Sequence, residues 1–245
     1  MAVSLWFCPS PGTHTYDILM TLTQSIQSLF PNSPTFEPHI TLTSNLALNS
    51  DPDKSLDDVN KILTYCVAAM NSIKKQYMES LTLENNGLRL TDQLVSFKNL
   101  CIGKKYFSKI FLQCKENRYL YSVASIMREM FVEVTDNEMR AKSWLKEDFL
   151  PHLSLLYSDV PHLSKADERA VVTRIEDIVD IKLRKESIIP TIMETWSNKE
   201  KNNIQVKYSF SETPSTLAWG LPGTLKVVRC VGPVDEWEVL GKIDV

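Results

Sequence analysis

No stretch of this chain approaches the ~20 consecutive apolar residues that a membrane helix needs. The best candidate, Leu63–Met70, is broken soon after by Asn71, Lys74 and Lys75. The Met1–Pro9 start has no basic leader, and its apolar run is too short for a signal peptide. The expectation is a soluble, intracellular and most simply cytoplasmic protein with no membrane insertion, peripheral attachment to an organelle being left open. A basic excess is also missing: 27 Lys and Arg against 30 Asp and Glu give a formal net charge of −3. Strong duplex binding brings a basic surface, so a long nucleic acid is not an expected partner. A small anionic ligand needs only a local positive site and passes this test.

Cysteine is sparse. The five thiols (Cys8, Cys66, Cys101, Cys114, Cys230) are odd in number and form no Cys-x-x-Cys, so free and mostly buried thiols in a reducing compartment are expected. His-x-His and His-Glu-x-x-His are absent as well, and with only four histidines neither a metal nor another cofactor is expected. No linker rich in Pro, Gly or Ser divides the chain, and 245 residues suffice for one large domain or two compact lobes. Residues 1–245 are read as one unit, expected to be monomeric.

What is present reads as mixed α and β. Strands are expected at Val3–Pro9, Phe36–Ala47, Leu81–Leu90, Gln93–Ile102, Phe107–Cys114, Phe149–Tyr157, Ile188–Trp196, Thr224–Val231 and Glu236–Val245. Asn85-Asn86-Gly87 is a hairpin signal. Apolar periodicity predicts helices over Thr15–Phe30, Ser55–Lys75, Arg118–Phe131 and Ser164–Val179, with Ser55 and Ser164 as N-caps. Ser211–Gly223, with Pro214 and Trp219-Gly220-Leu221-Pro222-Gly223, is expected to be a mobile surface loop.

The informative feature is a repeat. Phe36-Glu37-Pro38-His39-Ile40-Thr41-Leu42 and Phe149-Leu150-Pro151-His152-Leu153-Ser154-Leu155 share the pattern Phe-x-Pro-His-aliphatic-hydroxyl-Leu, which signals duplicated units or a repeated task. Strand alternation puts His39 with Thr41, and His152 with Ser154, on one face, and the aliphatic residues on the other. The proline has no N–H, which suits the first residue of a strand. One imidazole and one hydroxyl roughly 6–7 Å apart along a strand can hold one tetrahedral anion between them. Opening a cyclic phosphodiester needs a base for water and an acid for the departing oxygen, and histidine supplies either near neutral pH. Thr41 and Ser154 can donate to the non-bridging oxygens. Pro161-His162-Leu163-Ser164 looks like a third copy, but a helix start follows it, so His162 is read as a surface histidine. His14, in the turn before the first helix, is read as structural or adjacent to ligand.

With these motifs the chain resembles the two-histidine phosphoesterase superfamily, and within it the fungal and plant cyclic phosphodiesterases. The resemblance rests on His39-Ile40-Thr41-Leu42, His152-Leu153-Ser154-Leu155, their separation, and the Ser4-Leu5-Trp6 start. It implies a bilobal α+β fold in which two antiparallel sheets line a central cleft, helices lie outside, the lobes are related by a pseudo-twofold axis, and both termini fall in one lobe. It implies metal-free hydrolysis of 2′,3′-cyclic nucleotides to 2′-phosphates and of ADP-ribose 1″,2″-cyclic phosphate to the 1″-phosphate, clearing by-products of tRNA splicing. His39 and His152 would be catalytic, with His152 activating water and His39 protonating the leaving oxygen. Thr41, Ser154, Trp6 and Tyr157 would bind substrate. Tyr157 lies five residues after His152, so it reaches the cleft only if the strand bends or ends by Leu156. The extra length at Leu46–Lys75 and Lys199–Gly223 has no assigned role. Competing readings are a relative that processes RNA ends and a noncatalytic nucleotide- or RNA-binding module on the same scaffold.

Overall fold

The computed structural model describes residues 2–81, 93–133, 135–186 and 203–245. Its strands are β1 (Ala2–Pro9), β2 (Ile40–Ser44), β3 (Phe97–Gly103), β4 (Ile110–Cys114), β5 (His152–Leu156), β6 (Leu183–Lys185), β7 (Ile204–Phe210), β8 (Gly223–Cys230) and β9 (Glu238–Asp244). Its helices are α1 (His14–Gln27), α2 (Pro52–Leu81), α3 (Arg118–Phe131), α4 (Asn137–Glu147) and α5 (Lys165–Val179).

All nine strands belong to one sheet in the order β6-β7-β3-β4-β5-β2-β1-β8-β9, and every pairing is antiparallel. Two sheets were expected; the hydrogen bonding instead runs through as one, with a narrow join where β2 meets β5 through Ile40 and Leu153. Both β1 and β9 pair with β8.

Period-two alternation sorts the residues. Val3, Leu5 and Phe7 of β1, Ile40 and Leu42 of β2, Leu153 and Leu155 of β5, and Leu225 and Val227 of β8 enter the main core. There they meet Leu19, Leu22 and Ile26 of α1, Val59, Ile62 and Cys66 of α2, Val123 and Met127 of α3, and Val171 and Ile175 of α5. Each such side chain stabilises the fold by ~1.5–3 kcal/mol through burial. The alternate residues, Trp6, Cys8 and Val228, form a separate cluster on the opposite face. Helices thus cover one face, and the other carries the polar half of each motif.

Several expectations shift. Helix α2 starts at Pro52, not after Ser55; proline has its φ preset for the first turn, and Asp51 Oδ1 accepts from the Asp53 amide at 3.1 Å. Strand β2 is confined to Ile40–Ser44. Strand β4 begins at Ile110 because Tyr106–Ser108 forms a 3₁₀ turn. Ser164 does cap α5, in a reciprocal capping box with Asp167. Ser211–Gly223 is a packed segment and not a mobile surface loop: Leu217 and Trp219 are buried, and Trp219 exchanges backbone hydrogen bonds with Val95. Helix α4, strand β6 and strand β7 were not foreseen. The expected strand Ile188–Trp196, and the expected strand Leu81–Leu90 beyond its first residue together with its Asn85-Asn86-Gly87 turn, lie outside the described residues. All five cysteines are free thiols, four of them buried. No helix among the described residues is long and apolar enough to cross a membrane.

Candidate active site

The two histidine motifs meet at the join. Because Ile40 pairs with Leu153 in antiparallel register, the residues one step to either side bring His39 opposite Ser154 and Thr41 opposite His152. Directly opposed residues on one face have Cβ atoms ~4.5–5.5 Å apart. Both histidines and both hydroxyls line one cavity of about 330 Å³, together with Ser4, Trp6, Ser44, Phe107, Tyr157, Cys230 and Trp237. All six residues nominated from the sequence are therefore in one place. The other two histidines are not: His14 opens α1 in an exposed position, and exposed His162 sits with its Nδ1 3.1 Å from Gln205 Nε2.

The imidazoles are held alike. His39 Nδ1 lies 2.7 Å from the Glu37 carbonyl and His152 Nδ1 lies 2.8 Å from the Leu150 carbonyl. A carbonyl oxygen only accepts, so each Nδ1 carries a proton and each Nε2 is the nitrogen left to take or give one. The Pro-His step explains the repeat: the residue before proline is driven to extended backbone, which places the carbonyl two residues back beside the ring. His39 is almost completely buried, and burial pulls its pKa from 6.5 to about 4, helped by the neighbouring His152 and Lys226 and opposed by its bond to the Glu37 carbonyl.

Trp6 lies flat on His39, ring centroids 3.7 Å apart and planes 11° from parallel. Tyr157 reaches the cavity because β5 ends at Leu156, which breaks the alternation; its ring stacks on Phe36 at 4.0 Å. The phenylalanine that opens the first motif therefore packs on the tyrosine that follows the second. Burial raises the Tyr157 phenol pKa, against a hydrogen bond with Ser154. Ser154 Oγ itself donates to the Phe107 carbonyl at 3.0 Å, so it must swing its proton to reach a phosphate.

Sequence reasoning missed the mouth. Phe107 stands at the rim, 54% exposed, on a tightly pinned loop. Gly103 and Ser108 approach so closely that a Cβ on the glycine would lie 2.1 Å from the Ser108 carbonyl oxygen, and Asn203 Nδ2 donates to Ser108 Oγ at 2.8 Å. Across the opening Trp237 lies 5.7 Å from Phe107 and 6.0 Å from Tyr157 between ring centroids. Ser44 reaches the cavity through a β-bulge: the register slips between Leu5 and Trp6, so that Ser4 pairs with Ser44 while Trp6 pairs with Thr41. Ser4 was legible, two residues before Trp6 on one face; Ser44, Phe107 and Trp237 carried no signal. Among the described residues no group of three His, Cys, Asp or Glu side chains comes together as a metal site would require.

The chain belongs to the family of cyclic phosphodiesterase-like proteins, which it matches over residues 1–245. It is 46% identical over 250 residues to the 2′,3′-cyclic-nucleotide 3′-phosphodiesterase of Saccharomyces cerevisiae, with both chains covered completely. The proteins of the same name from Kluyveromyces lactis (40% over 245 residues, covering 100% of this chain and 99% of the relative) and Eremothecium gossypii (35% over 244 residues, covering both chains fully) are similar along their whole length.

Proposed function

We propose that this protein hydrolyses 2′,3′-cyclic nucleotides to nucleoside 2′-phosphates without a metal, His39 and His152 passing protons on opposite sides of phosphorus. The observation that carries the reading is the convergence of both motifs on one cavity through the Ile40–Leu153 pairing. Its relatives' shared name supports the substrate class.

In-line displacement needs a base on one side and an acid on the other. His39, held neutral by burial, takes a proton from water at Nε2 as the water oxygen bonds phosphorus. His152, protonated, delivers a proton to the departing 3′-oxygen as the P–O3′ bond breaks. Solvent then resets both rings. This order reverses the expectation that His152 activates water, and its physical ground is the cost of charging the more deeply buried ring. Thr41 and Ser154 stabilise the non-bridging oxygens as negative charge builds. Little of Trp6 remains exposed once His39 covers it, so the base of the nucleotide is assigned to the rim, between Phe107 and Trp237, where stacking tolerates any base. The same ring chemistry extends the reading to ADP-ribose 1″,2″-cyclic phosphate, and hence to clearing by-products of tRNA splicing in a reducing compartment such as the cytoplasm, which the five free thiols suit. A monomer supplies every residue named.

The bilobal description is retained as part of the proposal. The units β1-α1-β2 and β4-α3-α4-β5 flank the join with matching strand directions and one motif each, as a pseudo-twofold axis through the Ile40–Leu153 pair would produce.

Product analysis tests the function. Incubation with the four 2′,3′-cyclic nucleotides and with ADP-ribose 1″,2″-cyclic phosphate should yield 2′-phosphates and the 1″-phosphate; 3′-phosphate products, or turnover only of cyclic-phosphate-ended oligonucleotides, would count against it.

A further inference from the structure

Lys226 and Glu37 form a largely buried ion pair that the proposed chemistry leaves unexplained. Lys226 sits mid-strand in β8, paired across the sheet with Trp6, so alternation turns its side chain to the face that carries the site. It is only 9% exposed and does not line the cavity. Its Nζ lies 2.5 Å from Glu37 Oε2. Glu37 in turn is the residue whose backbone carbonyl holds His39 Nδ1, and the indole stacked on His39 belongs to Trp6, the cross-strand neighbour of Lys226. Two restraints on the His39 ring, the Glu37 carbonyl and the Trp6 indole, thus lead back to this pair.

The second histidine has other neighbours among the described residues. His152 is cross-strand neighbour to Gln113, which accepts from Asn99 Nδ2 at 2.9 Å, and Phe111 packs edge-on to the ring at 5.0 Å. The two halves of the site repeat the histidine, the carbonyl and the hydroxyl. A largely buried ion pair adds little to stability where an apolar pair would fold as well, so its value lies in what the charges do for their neighbour.

We infer that Lys226 and Glu37 act as a positioning pair for His39, locking its ring and setting a fixed positive charge beside it. The inference rests on His39 acting in catalysis as proposed above. Glu37, anchored by its carboxylate, cannot rotate its carbonyl away from Nδ1. The ammonium opposes a second positive charge on the imidazole, in the same direction as burial and His152. Other ionisable groups border the assembly: Cys8 of β1 and Tyr16 of α1 lie near the pair, both with their pKa values raised by burial and by Glu37, and Tyr157 lines the cavity. None of these three carries charge near neutral pH, so Lys226 and Glu37 supply the fixed charges here.

The test is the pH profile of kcat/KM with a 2′,3′-cyclic nucleotide for Lys226→Met, Lys226→Arg, Glu37→Gln and His39→Ala. Lys226→Met should lower kcat roughly tenfold, because a misplaced catalytic group costs rate, with KM changed much less. It should move the acid limb upward by roughly half a pH unit or more, because a like charge has gone. Glu37→Gln leaves the ammonium unopposed and should move the same limb downward. Lys226→Arg should restore both rate and limb. Opposite shifts from the two halves of one pair are a signature that a merely structural bridge does not give. If Lys226→Met fails to fold, the direction of the Glu37→Gln shift still decides. An acid limb that stays in place, or moves the same way in both variants, overturns the positioning pair while an inactive His39→Ala leaves the functional reading intact. Full activity in His39→Ala would overturn that reading instead.

Discussion

The Trp6 indole and the His39 imidazole lie in face-to-face contact, 3.7 Å between centroids. A ring stacked on one face and hydrogen-bonded at Nδ1 has its Nε2 direction set, which is what proton transfer in a defined line requires. Trp6→Ala should lower kcat by roughly tenfold or more, while Trp6→Phe, which keeps an aromatic face, should retain most of the rate. The larger truncation also costs ~3–5 kcal/mol of stability, so the kinetic comparison is made well below each variant's Tm.

Burial of His39 links stability to pH. Its folded pKa of about 4 lies below the ordinary histidine value of 6.5, so the unfolded chain binds the extra proton in that window. The stabilisation is complete above pH 6.5 and is lost as pH falls from 6.5 toward 4. The shift corresponds to about 3 kcal/mol. Urea unfolding of the wild type and of His39→Gln at pH 7 and pH 4 checks this: the wild type should lose that much more than the variant.

The rim makes a separate demand. Phe107 is 54% exposed; its backbone carbonyl accepts from Ser154, and its ring meets Tyr157 edge-on at 5.3 Å between centroids. Phe107→Ala keeps that carbonyl and removes the stacking face. It should raise KM by roughly five- to a hundredfold for every nucleotide, as loss of ~1–3 kcal/mol of stacking implies, and leave kcat within about twofold. Steady-state kinetics on a purine and a pyrimidine cyclic nucleotide measures it.

The bulge in β2 leaves a cost in the core. Register slippage turns Thr43 toward Leu5, where it is 1% exposed and its hydroxyl has no hydrogen-bond partner among the described residues. An unsatisfied buried hydroxyl costs ~1–3 kcal/mol. Thr43→Val should raise Tm by about 2–4 °C, on the scale expected for ~1 kcal/mol in a domain of this size, with turnover unchanged. Thermal unfolding followed by far-UV circular dichroism would show it.

The two motifs that meet in the cavity were legible because they are written locally and twice. Phe36–Leu42 and Phe149–Leu155 carry period-two alternation, a proline that fixes the backbone and a histidine whose partner carbonyl lies two residues back, so the orientation of each ring follows from its own heptapeptide. Helices α3 and α5 were equally plain, their apolar faces and caps being local signals. Helix α4 was not: it buries only Ala141, and without an apolar stripe its periodicity is silent. Strands β6 and β7 were missed because they lie toward one edge of the sheet, with only three of their ten side chains buried. What placed Phe107, Trp237, Ser44 and Lys226 around the site was sheet order, a register slip and contacts between segments more than a hundred residues apart, none of which leaves a trace in the spacing of residues.

The most direct measurement is single-turnover hydrolysis of a 2′,3′-cyclic nucleotide by His39→Ala and His152→Ala, each shown folded by circular dichroism. The account predicts that either substitution slows the chemical step by about 10²–10⁴, that the double variant is little slower than the worse single one because the two rings act as a unit, and that the residual product is still the 2′-phosphate. Wild-type rates in either single variant would contradict it.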